Sequence, residues 1–301
     1  MRTRSNFTVH TDAQPQTVPG FPAPLVAWIL ALLSLSCFCA AGIPVAGVDE
    51  VPFDLVNGHL IVVEGSLPGL DRSVNLVVDT GATATLVSRK LLIEAVLRKL
   101  PPMGITSTAF GSPVKVERVF LEKLQIGRRT ITRSCLAADI PWDGIDIILG
   151  LDVLRQTSLT IDYENSKLLF GAASFKQPSA GLEEEEGLFV VPVTMNGQTM
   201  RLAVDTGAHL TVIYQASWTA GNQRGWDEKM VKIAHTGGTV VARQHTRFDL
   251  QIGQTRVGRT SLAVLAAGSG DSSVDGFLGT ACLGLKRVHL DFELQALSIE
   301  S

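Results

Sequence analysis

The chain repeats itself, and a segment that recurs in register has to fold as the same unit twice. Val77-Val78-Asp79-Thr80-Gly81-Ala82 returns as Ala203-Val204-Asp205-Thr206-Gly207-Ala208, 126 residues later. Leu124-Gln125-Ile126-Gly127 returns as Leu250-Gln251-Ile252-Gly253 at the same offset of 126. Ile148-Leu149-Gly150 then matches Phe277-Leu278-Gly279, and Leu159-Thr160-Ile161-Asp162 matches Val288-His289-Leu290-Asp291, both at 129. The second copy therefore carries a net insertion of three residues between Gly253 and Gly279. These matches place one domain at 51–171 and a second at 187–301. Residues 172–186 hold Pro178, Ser179, Gly181 and the run Glu183 to Glu186. Adjacent like charges repel and bury nothing, so this stretch is expected to be an exposed acidic linker.

Within each copy the pattern is mainly that of strands. His59 to Glu64 and Ser73 to Val78 are short apolar or alternating runs parted by a turn, as are Leu188 to Thr194 and Thr199 to Val204. Val114 to Leu121 and Thr239 to Phe248 also read as strands. Ser88 to Leu100 has helical spacing at Leu91, Leu92, Ala95 and Val96, with Ser88 as N-cap and Pro101 as a stop. A short helix is predicted over Asp152 to Gln156, after Gly150. The expected class is mainly all-β, with short helices.

Composition narrows the partners. Among 301 residues, 46% are hydrophobic and 18% charged, which suits globular domains with real cores. A net charge of −3 supplies no basic field for nucleic acid, so nucleic acid is not an expected partner. Arg2 and Arg4 precede a stretch from Ala23 to Val48 without a single charged residue. Residues 1–48 therefore read as a signal peptide, with small residues at Ala40, Ala41 and Gly42, or as an uncleaved membrane anchor. Either way the basic flank predicts an extracytoplasmic location, periplasmic or secreted, for everything after Asp49. Cys37 and Cys39 fall in that segment; Cys135 and Cys282 occupy non-equivalent positions in the two copies and read as buried free thiols.

Asp-Thr-Gly by itself is a common turn sequence. Twice, after an apolar strand and before a hydrophobic-hydrophobic-Gly element, it is specific. On these residues the sequence resembles the aspartic peptidases of the retropepsin and pepsin type, over nearly everything from Val51 to Ile299. Alanine at Ala82 and Ala208, and the short copies, resemble the retroviral form fused in tandem. The resemblance implies two retropepsin-like acid-protease β-barrel lobes about a pseudo-two-fold axis, acting as an aspartic endopeptidase on a peptide or protein substrate. Asp79 and Asp205 would be the catalytic pair: carboxyls about 3 Å apart cannot both ionise, so one activates water while the other donates to the scissile carbonyl. Gly81 and Gly207 would let backbone approach them. Thr80 and Thr206 would hydrogen-bond across the axis, and Leu149-Gly150 and Leu278-Gly279 would buttress the catalytic loops from below.

Flaps over the substrate are expected in the turn-like stretches Thr108 to Pro113, around Phe110 and Gly111, and His235 to Thr239, around Gly237 and Gly238. The pepsin branch carries a flap tyrosine, whereas Tyr163 and Tyr214 lie in neither stretch. His209 follows the second Asp-Thr-Gly-Ala where the first copy has Thr83, so a symmetric mechanism does not need it. His59, His235, His245 and His289 show no metal-ligand spacing, and neither metal nor cofactor is expected. A single chain would be complete as a monomeric pseudo-dimer, unless lobes pair between chains. A silent peptide-binding or scaffolding module on the same fold is the other reading.

Overall fold

The computed structural model describes residues 48–102, 105–107, 113–171, 177–218, 228–265 and 273–301. Most of them lie in strands, and each copy builds an eight-stranded sheet. In the first lobe the order is Asp54–Val56, Leu60–Gly65, Val74–Val78, Ile147–Leu149, Leu86–Ser88, Arg129–Ala138, Glu117–Ile126 and Arg98–Lys99. In the second it is Glu183–Glu185, Leu188–Met195, Gln198–Asp205, Gly276–Gly279, Thr211–Tyr214, Thr255–Leu265, Gly238–Ile252 and Glu228–His235. Pairing of Leu188–Met195 with Gly238–Ile252 closes the second sheet on itself. In the first lobe the bridge between Ser66 and Gln125 does the same.

The strands that carry the repeated motif run through the middle of each sheet. Val74–Val78 and Ile147–Leu149 are apolar nearly throughout, because both of their faces are covered. They pair in parallel, Val78 against Leu149, and Gln198–Asp205 pairs likewise with Gly276–Gly279. Each repeated glycine element is thereby carried to the end of the strand that leads into its aspartate.

A third sheet joins the lobes. Its six strands run Asp49–Pro52, Lys167–Phe170, Leu159–Asp162, Arg287–Asp291, Ala296–Glu300 and Ala180–Gly181. At its centre Leu159 faces Leu290 and Asp162 faces Arg287, so the lobes meet by main-chain pairing of repeated strands. One continuous core runs from Val51 to Leu297.

Three sequence expectations need correction. Residues 172–176 of the expected linker 172–186 lie outside the described residues, and the rest, 177–186, is not simply an exposed linker. Ala180 pairs with Leu297 as Val51 pairs with Leu168, both 129 residues earlier, so Ala180–Gly181 is the second lobe's copy of the first strand. Glu183–Glu185 follows as an edge strand, with Leu182 buried before it. Its charges are paired: Glu183 and Glu185 with Arg201 at 2.9 and 3.1 Å, and Glu184 with Arg155 of the first lobe at 2.7 Å. The second lobe thus begins near Ala180, ahead of Gly187. The helix expected to reach Leu100 spans only Arg89–Glu94. Ser88 caps it as expected, accepting from Leu91 N at 3.1 Å. Val96 then takes a left-handed φ of 49° and stands exposed, and the chain leaves as the strand Arg98–Lys99. Val114 to Leu121 is two strands, Pro113–Lys115 and Glu117–Ile126.

The apolar segment 23–47 lies outside the described residues. Among the described residues no helix is long and apolar enough to cross a membrane.

Candidate active site

Both aspartates sit where a central strand gives way to a turn. Asp79 N donates to Leu149 O at 3.1 Å, and Thr280 N donates to Asp205 O at 3.2 Å, which ties each turn to the glycine strand beside it. Gly81 N donates to Asp79 Oδ1 and Gly207 N to Asp205 Oδ1, each at 2.8 Å. The Asp-Thr-Gly turn therefore fixes its own carboxylate, for the same local reason in both lobes.

The threonines and glycines of the two turns are held between lobes. Thr80 Oγ1 donates to Val204 O at 2.7 Å and accepts from Thr206 N at 3.1 Å. Thr206 Oγ1 donates to Val78 O at 2.7 Å and accepts from Thr80 N at 3.0 Å. Both threonines are buried. A Cβ on Gly81 would stand 2.6 Å from Asp205 Cγ, and one on Gly207 would stand 2.8 Å from Asp79 Cγ. Each glycine is bare because the other lobe's carboxyl occupies the place of a side chain. Below the turns, a Cβ on Gly150 would meet Ala84 C at 2.6 Å, and one on Gly279 would meet Leu210 O at 2.7 Å. Leu149 and Leu278 are buried alongside. The structure thus brings Asp79, Thr80, Gly81, Ala82, Asp205, Thr206, Gly207 and Ala208 together above Leu149-Gly150 and Leu278-Gly279.

The electrostatics follow from that enclosure. Each carboxyl lies against the glycine of the opposite turn and is partly buried, with the rest open to solvent. Burial raises the pKa of Asp79, against the pull of the Gly81 and Ala82 amides. Asp205 is pushed well above the ordinary carboxylate value, by burial and then by the charge of Asp79. Two carboxyls of unequal proton affinity sharing a hydrogen bond can hold one proton between them. Such a pair offers one group able to accept a proton and one able to donate it.

The expected flaps fare differently. Phe110 and Gly111 lie outside the described residues, although the strands on either side, Ile105–Ser107 and Pro113–Lys115, pair as a hairpin. Gly237 and Gly238 do lie at a hairpin tip. His235 pairs with Gly238, Gly238 has a φ of 129°, and Gly237 N donates to His235 Nδ1 at 3.1 Å. Tyr163 is at neither tip and instead hydrogen-bonds Thr280 Oγ1 across the lobes at 2.7 Å. Among the described residues no group of three His, Cys, Asp or Glu is arranged to hold a metal ion. Cys135 is buried, but Cys282 is only half-buried, because it borders a cavity in the second lobe.

Sequence reasoning missed two features of this region. In the first lobe Thr85 N and Oγ1 donate to Asp152 Oδ1 at 2.9 and 2.7 Å, and Arg133 pairs with the same carboxylate at 2.9 Å. Thr85 recurs as Thr211 at the repeat offset, which was a readable signal. His59 of the first lobe and His209 of the second stack edge to face at 4.8 Å. At the two-fold-related place stands Gly187, where an added Cβ would meet only the side chain of Thr83, so the histidine contact is one-sided and repeat matching passes over it.

Comparison with known proteins bears on both halves. Residues 68–156 match the family described as "gag-polyprotein putative aspartyl protease". Residues 191–282 match the family described as "Aspartyl protease". Among solved structures, the aspartic proteinase from Irpex lacteus aligns with a TM-score of 0.56 at 14% identity, over 85% of this chain and 97% of that one. That likeness is one of fold. None of the curated proteins compared matches the chain in sequence.

Proposed function

We propose, because this chain belongs to the aspartyl protease family in both of its halves, that Asp79 and Asp205 act as one catalytic dyad of an endopeptidase. The observation that carries this is reciprocal: Gly81 faces the Asp205 carboxyl and Gly207 faces that of Asp79, so neither lobe holds a site alone. Water held between the carboxyls gives its proton to the ionised one while its oxygen bonds to the scissile carbonyl carbon. The protonated carboxyl donates to the carbonyl oxygen. Collapse of the tetrahedral adduct breaks the C–N bond, and the amine leaves with a proton from the dyad. Since one chain supplies both aspartates, a monomer suffices. The basic flank and uncharged stretch of residues 1–48 support action outside the cytoplasm, which a reporter fused after Ser301 would check.

The test is incubation with a mixed library of peptides blocked at both ends, with and without a statine-type inhibitor. Internal cleavage that the inhibitor stops, and that Asp79→Asn and Asp205→Asn each abolish, is the expected result. Peptides bound but never cut would instead identify a silent module.

A further inference from the structure

The lobes differ beside the second Asp-Thr-Gly turn, where the second lobe has a cavity. In the first lobe the strand Arg129–Ala138 sets Leu136 against Leu86; in the second, Thr255–Leu265 sets Ala263 against Val212. Leu86 and Val212 are equivalent at the repeat offset of 126, so the second strand has slipped by one further residue. Thr260 then stands where Arg133 stands, and Ala281 where Asp152 stands. The ion pair that fills this place in the first lobe is replaced by a methyl and a small hydroxyl. What remains is a cavity of about 360 Å³ bordered by His209, Leu210, Gln244, Arg259, Thr260 and Cys282 among others.

Its lining is chemically one-sided. Arg259 is exposed and has no carboxylate within ion-pair distance among the described residues. Asp249 lies opposite it across the ladder but pairs with Arg256 at 3.1 Å instead. Gln244 and Thr246, also on the wall, make no side-chain hydrogen bond to the described residues. The cavity also adjoins the chemistry. His209 and Leu210 directly follow the turn Asp205 to Ala208, and Cys282 Sγ donates to the carbonyl of Gly279, the residue paired with Asp205.

Resting on the proposed peptidase activity, we propose that this cavity is a substrate subsite that takes a carboxylate of the peptide on Arg259, with Gln244 and Thr246 as neutral partners. A guanidinium binds a carboxylate through charge-assisted hydrogen bonds, while an amide of the same shape forgoes the charge. Because the first lobe fills the equivalent place with its own Asp152, the preference applies to one side of the scissile bond.

The test uses the full chain and peptide pairs that differ only in charge: Glu against Gln at each position around the cut, and a free against an amidated C-terminus. The expected result is a kcat/KM about tenfold higher for the charged member at one position, with the ratio falling towards one in Arg259→Gln and partly kept in Arg259→Lys. The Glu arm and the C-terminal arm tell which carboxylate is used. Equal rates in every pair, or a preference unchanged in Arg259→Gln, would overturn the proposal. If no peptide is cut, the peptidase reading fails and the subsite is read by binding, from fluorescence anisotropy of the same pairs. Tighter binding of the charged member, lost in Arg259→Gln, supports it; equal binding overturns it.

Discussion

Thr80 and Thr206 hold each other across the lobe interface, each hydroxyl accepting from the other residue's amide and donating to the carbonyl before the opposite aspartate. Replacing either by valine keeps the volume but strands a buried amide and a buried carbonyl. Thr80→Val or Thr206→Val should each lower stability by about 2–4 kcal/mol, read from urea midpoints at constant slope, while Thr→Ser keeps most of it. Unchanged midpoints in both valine variants would mean that water takes over these hydrogen bonds.

A methyl group at Gly81 meets the carboxyl of Asp205 head-on, at 2.6 Å. Gly81→Ala should displace that carboxyl, and a misplacement of this kind costs about a hundredfold in kcat. Gly207→Ala, with its nearest approach at 2.8 Å, should cost somewhat less. Alanine variants as active as the parent would show that the carboxyl pair is free to shift.

The dyad also leaves a mark on stability. Both pKa values are raised in the folded state, so the folded protein prefers the protonated carboxyls. Their contribution is complete below the unfolded value, about 4, and is lost as pH rises through the folded values. Asp205→Asn should therefore be more stable than wild type at pH 7, by about 1 kcal/mol or more, with the gap closing below pH ~4. Asp79→Asn should show the same sign with a smaller gap. A loss of stability at neutral pH in both variants would contradict enclosure as the main influence on the pair.

Activity should follow the same ionisations. The residues after Asp-Thr-Gly are Ala82 and Ala208, whose amides reach the carboxyls but whose side chains donate nothing. A hydroxyl there would favour the charged form. With alanine, kcat/KM should be bell-shaped with a maximum at roughly pH 4.5–6.5. Ala82→Ser combined with Ala208→Ser should move it towards acid. A wild-type maximum near pH ~2–3, or an alkaline shift in the double variant, would be the contrary result.

The juxtaposition of Asp79 and Asp205 was legible in the sequence because the turns that carry them recur at a fixed offset. The buttressing glycines were legible for the same reason. The six-stranded sheet between the lobes was not, since its strands join by main-chain pairing, and the side chains that meet across it, Asp162 with Arg287 at 2.9 Å among them, show their partnership only once the strands are in register. The acidic run misled for a physical reason: like charges repel only while unpaired, and the arginines that pair with Glu183, Glu184 and Glu185, namely Arg155 and Arg201, lie elsewhere in the chain. The helix after Ser88 was overextended because periodicity continues through Val96 although the backbone there turns left-handed. The cavity by Arg259 arises from a one-residue slip, which only the strand register reveals.

The sheet that joins the lobes also sets a timetable. Asp205 leaves the ribosome well before residues 287–300, yet Arg287–Asp291 is the strand that pairs with the first lobe and Ala296–Glu300 flanks it. A nascent chain can hold both aspartates while its lobes are still unjoined. The meeting of Asp79 with Asp205 then comes late in synthesis, when the lobes dock, and a chain interrupted before that strand would carry both aspartates without the sheet that joins their lobes.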